Sequence, residues 1–175
     1  MGKRSNYERA QLDFYPTPLE ALLPLLPLLP KETAFCEPCA GDGRLITMLH
    51  SAGHRCVAAF DVKPRHDSIR QLDATFMSEQ DMQGAEMIIT NPPWGRDVLH
   101  QIINRCLLLR PAWLLFDADW SHTKQAIPFM EKCTDIVAVR RVKWVEGSSG
   151  AGMENCCWYR FDASAASWQT RFRVV

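Results

Sequence analysis

Short apolar runs along this chain alternate with stretches in which apolar residues recur at three- and four-residue steps. That alternation predicts strands and helices taking turns. Strands are expected at 34–37, 56–61, 86–90 and 112–116, with a weaker one at 74–77. Helices are expected at 44–52, closed by Gly53, at 98–109 and at 122–132, with a short helical piece at 68–72. Toward the C-terminus, 136–145 and 155–161 read as two more strands, joined by the Gly- and Ser-rich stretch 146–153, which should be mobile. Upstream, Thr17-Pro18-Leu19-Glu20 has the form of a helix start. Thr17 can cap, Pro18 suits the first helical position, and Glu20 completes a capping box. Pro24, Pro27 and Pro30 then keep that helix short. Alternating strands and helices imply a parallel sheet covered on both faces, and the terminal strand pair adds an antiparallel edge. The expectation is a single α/β domain with a mostly parallel seven-stranded sheet. Residues 1–12 are polar and expected to be flexible, and 13–33 form a lead-in segment and helix.

Composition narrows the class. A chain of 175 residues suits one domain, and an apolar share of 47% is enough for a full core. The 20 Lys and Arg balance the 20 Asp and Glu, so tight non-specific binding to nucleic acid is disfavoured while a local basic patch is not. Arg140, Arg141, Lys143, Arg160, Arg171 and Arg173 make the C-terminal third locally positive and are expected to touch phosphates. The apolar run 19–29 is interrupted by Glu20, Pro24 and Pro27 and is too short to span a bilayer, so no membrane partner is expected. Seven cysteines, an odd number, without a secretory leader point to free thiols and a cytoplasmic protein. Cys36-Glu37-Pro38-Cys39 has the spacing of a zinc half-site. The other close pair, Cys156-Cys157, is adjacent and chelates poorly, so small apolar side chains in strands are the better reading and no metal is expected.

Three motifs sit at predicted strand ends, where doubly wound sheets bind their ligands. The first, Glu37-Pro38-Cys39-Ala40-Gly41-Asp42-Gly43, couples an acid to a glycine turn that lets backbone approach a ligand. It lacks the third glycine of a dinucleotide fingerprint and the Lys of a phosphate loop. An acid beside such a turn suits a ligand carrying an amino group. The second is Asp61, about twenty residues on, where a carboxylate can accept ribose hydroxyls; the competing reading is a turn residue before Lys63-Pro64. The third is Asn91-Pro92-Pro93-Trp94. Two prolines stiffen the backbone and remove two donors, leaving the Asn side chain and carbonyls as fixed acceptors for an amine nucleophile. Trp94 offers a face on which an extruded base can stack; a proline turn with a core tryptophan is the alternative. Asp117, Asp119, Trp120, Ser121 and His122 follow another strand end near the expected target pocket. His122 reads as a surface residue, and Trp113, Trp144, Trp158 and Trp168 as packing.

Asn91–Trp94 resembles the (Asp/Asn/Ser)-Pro-Pro-aromatic motif of S-adenosylmethionine-dependent amino-group methyltransferases, and 37–43 is similar to their cofactor loop. Asp13-Phe14-Tyr15-Pro16-Thr17-Pro18 resembles the segment that closes over the cofactor in adenine-N6 DNA methyltransferases. The motif order is like theirs, including small phage and prophage enzymes. The resemblance implies a Rossmann-like class I fold. It implies S-adenosylmethionine held by Tyr15, Pro16, Thr17, Glu37, Pro38, Ala40, Gly41, Gly43, Asp61, Val62, Asp73 and Asn91. It implies catalysis by Asn91, Pro92, Pro93 and Trp94 in the cytoplasm of a bacterial or phage-infected cell. Nothing in these 175 residues is long enough for a separate target-recognition domain. The implied function is therefore adenine-N6 methylation of DNA with relaxed specificity, or with recognition supplied by a partner subunit or a second copy. RNA adenine and protein glutamine are alternative targets for similar motifs. Rivals of another kind are a non-catalytic methyltransferase-like binding subunit and a nicotinamide-dependent oxidoreductase.

Overall fold

The computed structural model describes residues 14–139, 141–144, 155–166 and 169–175. Residues 1–13, Arg140, the 146–153 stretch and Trp168 lie outside the described residues. The elements are α1 (Leu19–Leu22), β1 (Ala34–Glu37), α2 (Arg44–Ser51), β2 (Arg55–Asp61), β3 (Arg70–Gln71), α3 (Glu79–Met82), β4 (Met87–Thr90), α4 (Arg96–Leu109), β5 (Ala112–Asp117), α5 (Ile127–Met130), β6 (Cys133–Val139), β7 (Cys156–Phe161) and β8 (Arg171–Arg173).

The strands form one sheet in the order β3-β2-β1-β4-β5-β7-β6-β8. Neighbours pair in parallel except β7, which runs antiparallel to both β5 and β6. The expected antiparallel pair is present, with β7 inserted beside β5. The sheet has eight strands rather than seven because Arg171–Arg173 joins β6 as an outer strand. Successive strand residues face opposite ways. Phe35, Ile89, Trp113, Leu115 and Trp158 pack toward α1 and α2. Cys36, Ile88, Leu114, Phe116 and Tyr159 pack toward α4, whose buried Leu99, Ile102, Ile103 and Cys106 recur at helical spacing. Trp158 Nε1 donates to the Ala21 carbonyl at 2.7 Å and so ties α1 to the sheet.

Several local expectations change. Thr17 does not cap α1: Pro18 is the N-cap residue, with no side-chain capping bond. Residues 68–72 form a turn and the two-residue β3 rather than a helical piece. Residues 74–76 are a 3-10 turn rather than a strand, because the Asp73 carboxylate accepts the Thr75 amide and starts it. The 122–132 helix shrinks to α5 after 3-10 turns at Ala118–His122 and Lys124–Ala126. The strand placed at 136–145 is β6, and begins earlier at Cys133; Thr134 and Asp135 disguise its start as polar chain.

Candidate active site

Strand order reverses about β1: the chain leaves β1 for β2 on one side and later returns as β4 on the other. The loops after β1 and β4 therefore meet at the carboxyl ends of adjacent strands, the position where open α/β sheets bind ligands. A cavity of about 510 Å³ lies there, within the size range of nucleotide and cofactor sites.

Eleven of the twelve residues expected around a cofactor line this cavity: Tyr15, Pro16, Thr17, Glu37, Pro38, Ala40, Gly41, Asp61, Val62, Asp73 and Asn91. Gly43 does not; at φ 80° it closes the turn as the N-cap of α2. Of the catalytic set, Asn91 and Pro93 line the cavity, Pro92 is buried, and Trp94 stands beside it, half-buried. Trp94 meets Trp144 edge to face at 5.5 Å, so its ring is partly committed to packing.

Glu37 at the end of β1 is 2% exposed, and its Oε2 has no hydrogen-bond partner among the described residues. Burial, then the nearby charges of Asp42 and Asp61, hold its carboxyl well above the usual carboxylate range. A buried carboxyl oxygen left without a partner costs stability unless a cation or donor meets it, and Glu37 is a lining residue of this cavity. Asp61 organises the glycine turn: Oδ2 accepts the Gly41 amide at 2.9 Å and Oδ1 the Lys63 amide at 2.7 Å. Each carboxylate oxygen can accept more than one bond, so ribose hydroxyls remain within its capacity. Asp73 likewise serves its own turn through Oδ1, which accepts from Thr75. Burial also pushes up the Cys39 thiol, aided by Asp61, which makes it a poor nucleophile.

The segment ahead of α1 lies across this loop as a strap. A Cβ on Gly41 (φ 53°) would come within 2.6 Å of the Phe14 ring, and the Arg65 guanidinium sits 3.8 Å over that ring's centre. Phe14, Lys63 and Arg65 also line the cavity; Phe14 lies in the segment expected to close over a cofactor, but none of the three was named as a cofactor residue. The aromatic of the Asp-Phe-Tyr-Pro run was the available signal for Phe14, whereas nothing local marked Arg65. The strap reaches Asn91, whose Nδ2 donates to the Tyr15 carbonyl at 3.3 Å and to Thr17 Oγ1 at 3.2 Å. Asn91 Oδ1 accepts from Trp94 Nε1 at 3.3 Å.

The other candidates fall elsewhere. His122 is exposed, and Trp120 is buried with its Nε1 on His100. Trp113 and Trp158 are core residues. The C-terminal arginines are occupied internally: Arg171 and Arg173 both pair with buried Asp135, and Arg160 pairs with Asp162. A phosphate would have to share these guanidiniums with their carboxylates, and the Arg171 side chain stays 64% exposed.

No protein-family model matches the chain, and the comparison with curated proteins found no match. Solved structures do match it. One described as a candidate RNA methyltransferase from Pyrococcus horikoshii superposes with a TM-score of 0.63 at 16% identity, covering 91% of this chain and 93% of that one. The M protein of the type I restriction enzyme EcoKI gives 0.52 at 15% identity, over 87% of this chain. A TehB-like methyltransferase from Corynebacterium glutamicum gives 0.53 at 12% identity, over 82% of this chain and 86% of that one. This chain spans 44% of the EcoKI M protein's length. The fold is that of the class I, Rossmann-like methyltransferases, with an eighth strand added at the β6 edge.

Proposed function

We propose that the protein is an S-adenosylmethionine-dependent N-methyltransferase acting on the exocyclic amine of adenine in DNA, with relaxed or partner-dependent specificity. The observation that carries the reading is the shared cavity: Glu37 at the end of β1, with a buried oxygen that no described residue meets, and Asn91 at the end of β4 line one space. Glu37 suits an ammonium group, Asp61 suits ribose hydroxyls, and the strap from Phe14 to Thr17 covers the loop between them. S-adenosylmethionine supplies, when bound, an electrophilic methyl group on a sulfonium. Asn91 Oδ1 and the Pro92 carbonyl accept the two N–H groups of the target amine and point its lone pair along the line of attack. Those same acceptors stabilise the positive charge that grows on nitrogen, and the surplus proton leaves to solvent after transfer. Catalysis is thus positioning and electrostatics, and no side chain needs to act as a base.

Adenine in RNA is the second reading. It is favoured by the Pyrococcus protein, whose description names RNA and whose length this chain matches almost fully. The type I restriction enzyme M protein is more than twice as long as this chain's match to it. The test is a radiolabelled methyl-transfer assay with the purified chain over duplex DNA, single-stranded DNA, RNA and protein. Label in DNA supports the proposal, and label confined to RNA moves the target. Label confined to protein glutamine retains only the amino-group chemistry. No label in any pool favours a non-catalytic binding subunit.

A further inference from the structure

An Asn side chain presents nearly the same shape either way round, yet one end accepts hydrogen bonds and the other donates them. A site for an amine must present the oxygen. Three contacts around Asn91 decide which end points where. The Tyr15 carbonyl can only accept, and it faces Nδ2 at 3.3 Å. The Trp94 indole N–H can only donate, and it faces Oδ1 at 3.3 Å. Thr17 Oγ1 takes the second Nδ2 hydrogen at 3.2 Å. Turned over, the amide would set oxygen against a carbonyl oxygen and NH2 against an indole N–H. As built, both amide hydrogens are consumed inside the protein, and one Oδ1 lone pair remains to accept from outside.

Among the described residues the Thr17 hydroxyl has no competing bond: it is 5% exposed and gives α1 no side-chain cap. It belongs to the strap whose Phe14 presses on Gly41 of the cofactor loop. We infer that Thr17 is a positioning residue that fixes the Asn91 amide with its oxygen toward the target, and that the strap thereby couples seating of the cofactor loop to readiness of the amine acceptor. The target-facing half of this inference rests on the proposed function; the orientation of the amide does not. It also separates Asn from Asp at this position. In Asn91→Asp a carboxylate oxygen would face the Tyr15 carbonyl, so the substitution should not preserve activity even though similar motifs carry Asp.

The test begins with the 15N–1H correlation spectrum of the intact chain, in which Asn91→Ala identifies the Asn91 side-chain amide pair by its disappearance. Thr17→Val keeps the shape and removes the acceptor, so that pair should move; Thr17→Ser restores the hydroxyl and should return it. An Asn91 pair that stays put in Thr17→Val overturns the inference. If Thr17→Val does not fold, Thr17→Ala carries the same comparison. In turnover, Thr17→Val should lower kcat about three- to tenfold, the effect of losing one neutral hydrogen bond, with KM for the target polymer unchanged and Thr17→Ser near wild type. A fall in affinity alone would make Thr17 a cofactor contact and overturn the positioning role. A wild-type protein that methylates nothing, with the spectral result intact, would sink the proposed function and leave the amide orientation standing.

Discussion

Replacing Glu37 with Gln tests the cavity through stability and binding at once. The carboxyl is buried, one oxygen is unpartnered, and its pKa is raised above 4.5 by burial and by Asp42 and Asp61. An acid whose folded pKa lies above its unfolded value keeps its proton longer in the folded protein. Stability of the ligand-free protein therefore falls as pH rises from about the unfolded value, 4.5, toward the folded one, by at most a tenfold change in the folding constant per pH unit. Glu37→Gln lacks this contribution, so its stability should decline less over that range and exceed wild type at its upper end. Binding should move the other way. Losing a hydrogen bond to a charged group costs about 1.5–3 kcal/mol, or roughly 10- to 150-fold in affinity for S-adenosylmethionine. Wild-type affinity should rise with pH above about 4.5 as the raised Glu37 carboxyl ionises, and the variant's should not. Urea unfolding at several pH values, with calorimetric titration of the cofactor on both proteins, measures all three effects. A variant that binds as tightly as wild type, or that is less stable at every pH, would refute the assignment of Glu37 to a ligand's cation.

Asn91→Ala should lower turnover about 10²- to 10³-fold, the effect of losing one oriented transition-state contact, while circular dichroism shows an unchanged fold. Gly41→Ala places a Cβ 2.6 Å from Phe14 at a φ of 53°. It should cost about 1–2 kcal/mol from the backbone alone and weaken cofactor binding in the same titration, with Phe14→Ala in that background recovering part of the loss. Trp94→Phe keeps a ring but removes the donor to Asn91 Oδ1. Its kcat should fall severalfold, as expected for one hydrogen bond, where the motif alone suggests little change. Asp135 resists burial through bonds from Arg173, Arg171 and Thr134, which hold its carboxyl below its usual value of 3.8. Its contribution is complete above that value and is lost as pH falls through the folded one. Asp135→Asn should therefore destabilise by about 1–3 kcal/mol near neutrality and by less in acid, as read by denaturant titration.

The lining of the cavity was more legible than the strand order beneath it. Glu37, Gly41 and Asn91 belong to short motifs at strand ends, and apolar runs mark strand ends well, so chemistry and position could be read together. The place of β7 between β5 and β6 is a pairing choice between distant segments, and periodicity carries no record of it. β8 is invisible for a related reason: Arg171-Phe172-Arg173 becomes a strand because β6 offers an edge and buried Asp135 needs two guanidiniums. Thr17 shows the opposite error. Its sequence context is that of a helix cap, yet the hydroxyl is taken by a residue 74 positions away. Arg65 meets Phe14 only through the folded strap, so nothing local announces it.

The central claim is most directly tested by expressing the protein, and in parallel Asn91→Ala, in a methylation-deficient bacterial host, then digesting total DNA and RNA to nucleosides for mass spectrometry. N6-methyladenine should appear in DNA at many sequence contexts with the wild-type chain and not at all with the variant. N6-methyladenine absent from DNA, supplied with every partner encoded beside the protein, would contradict it.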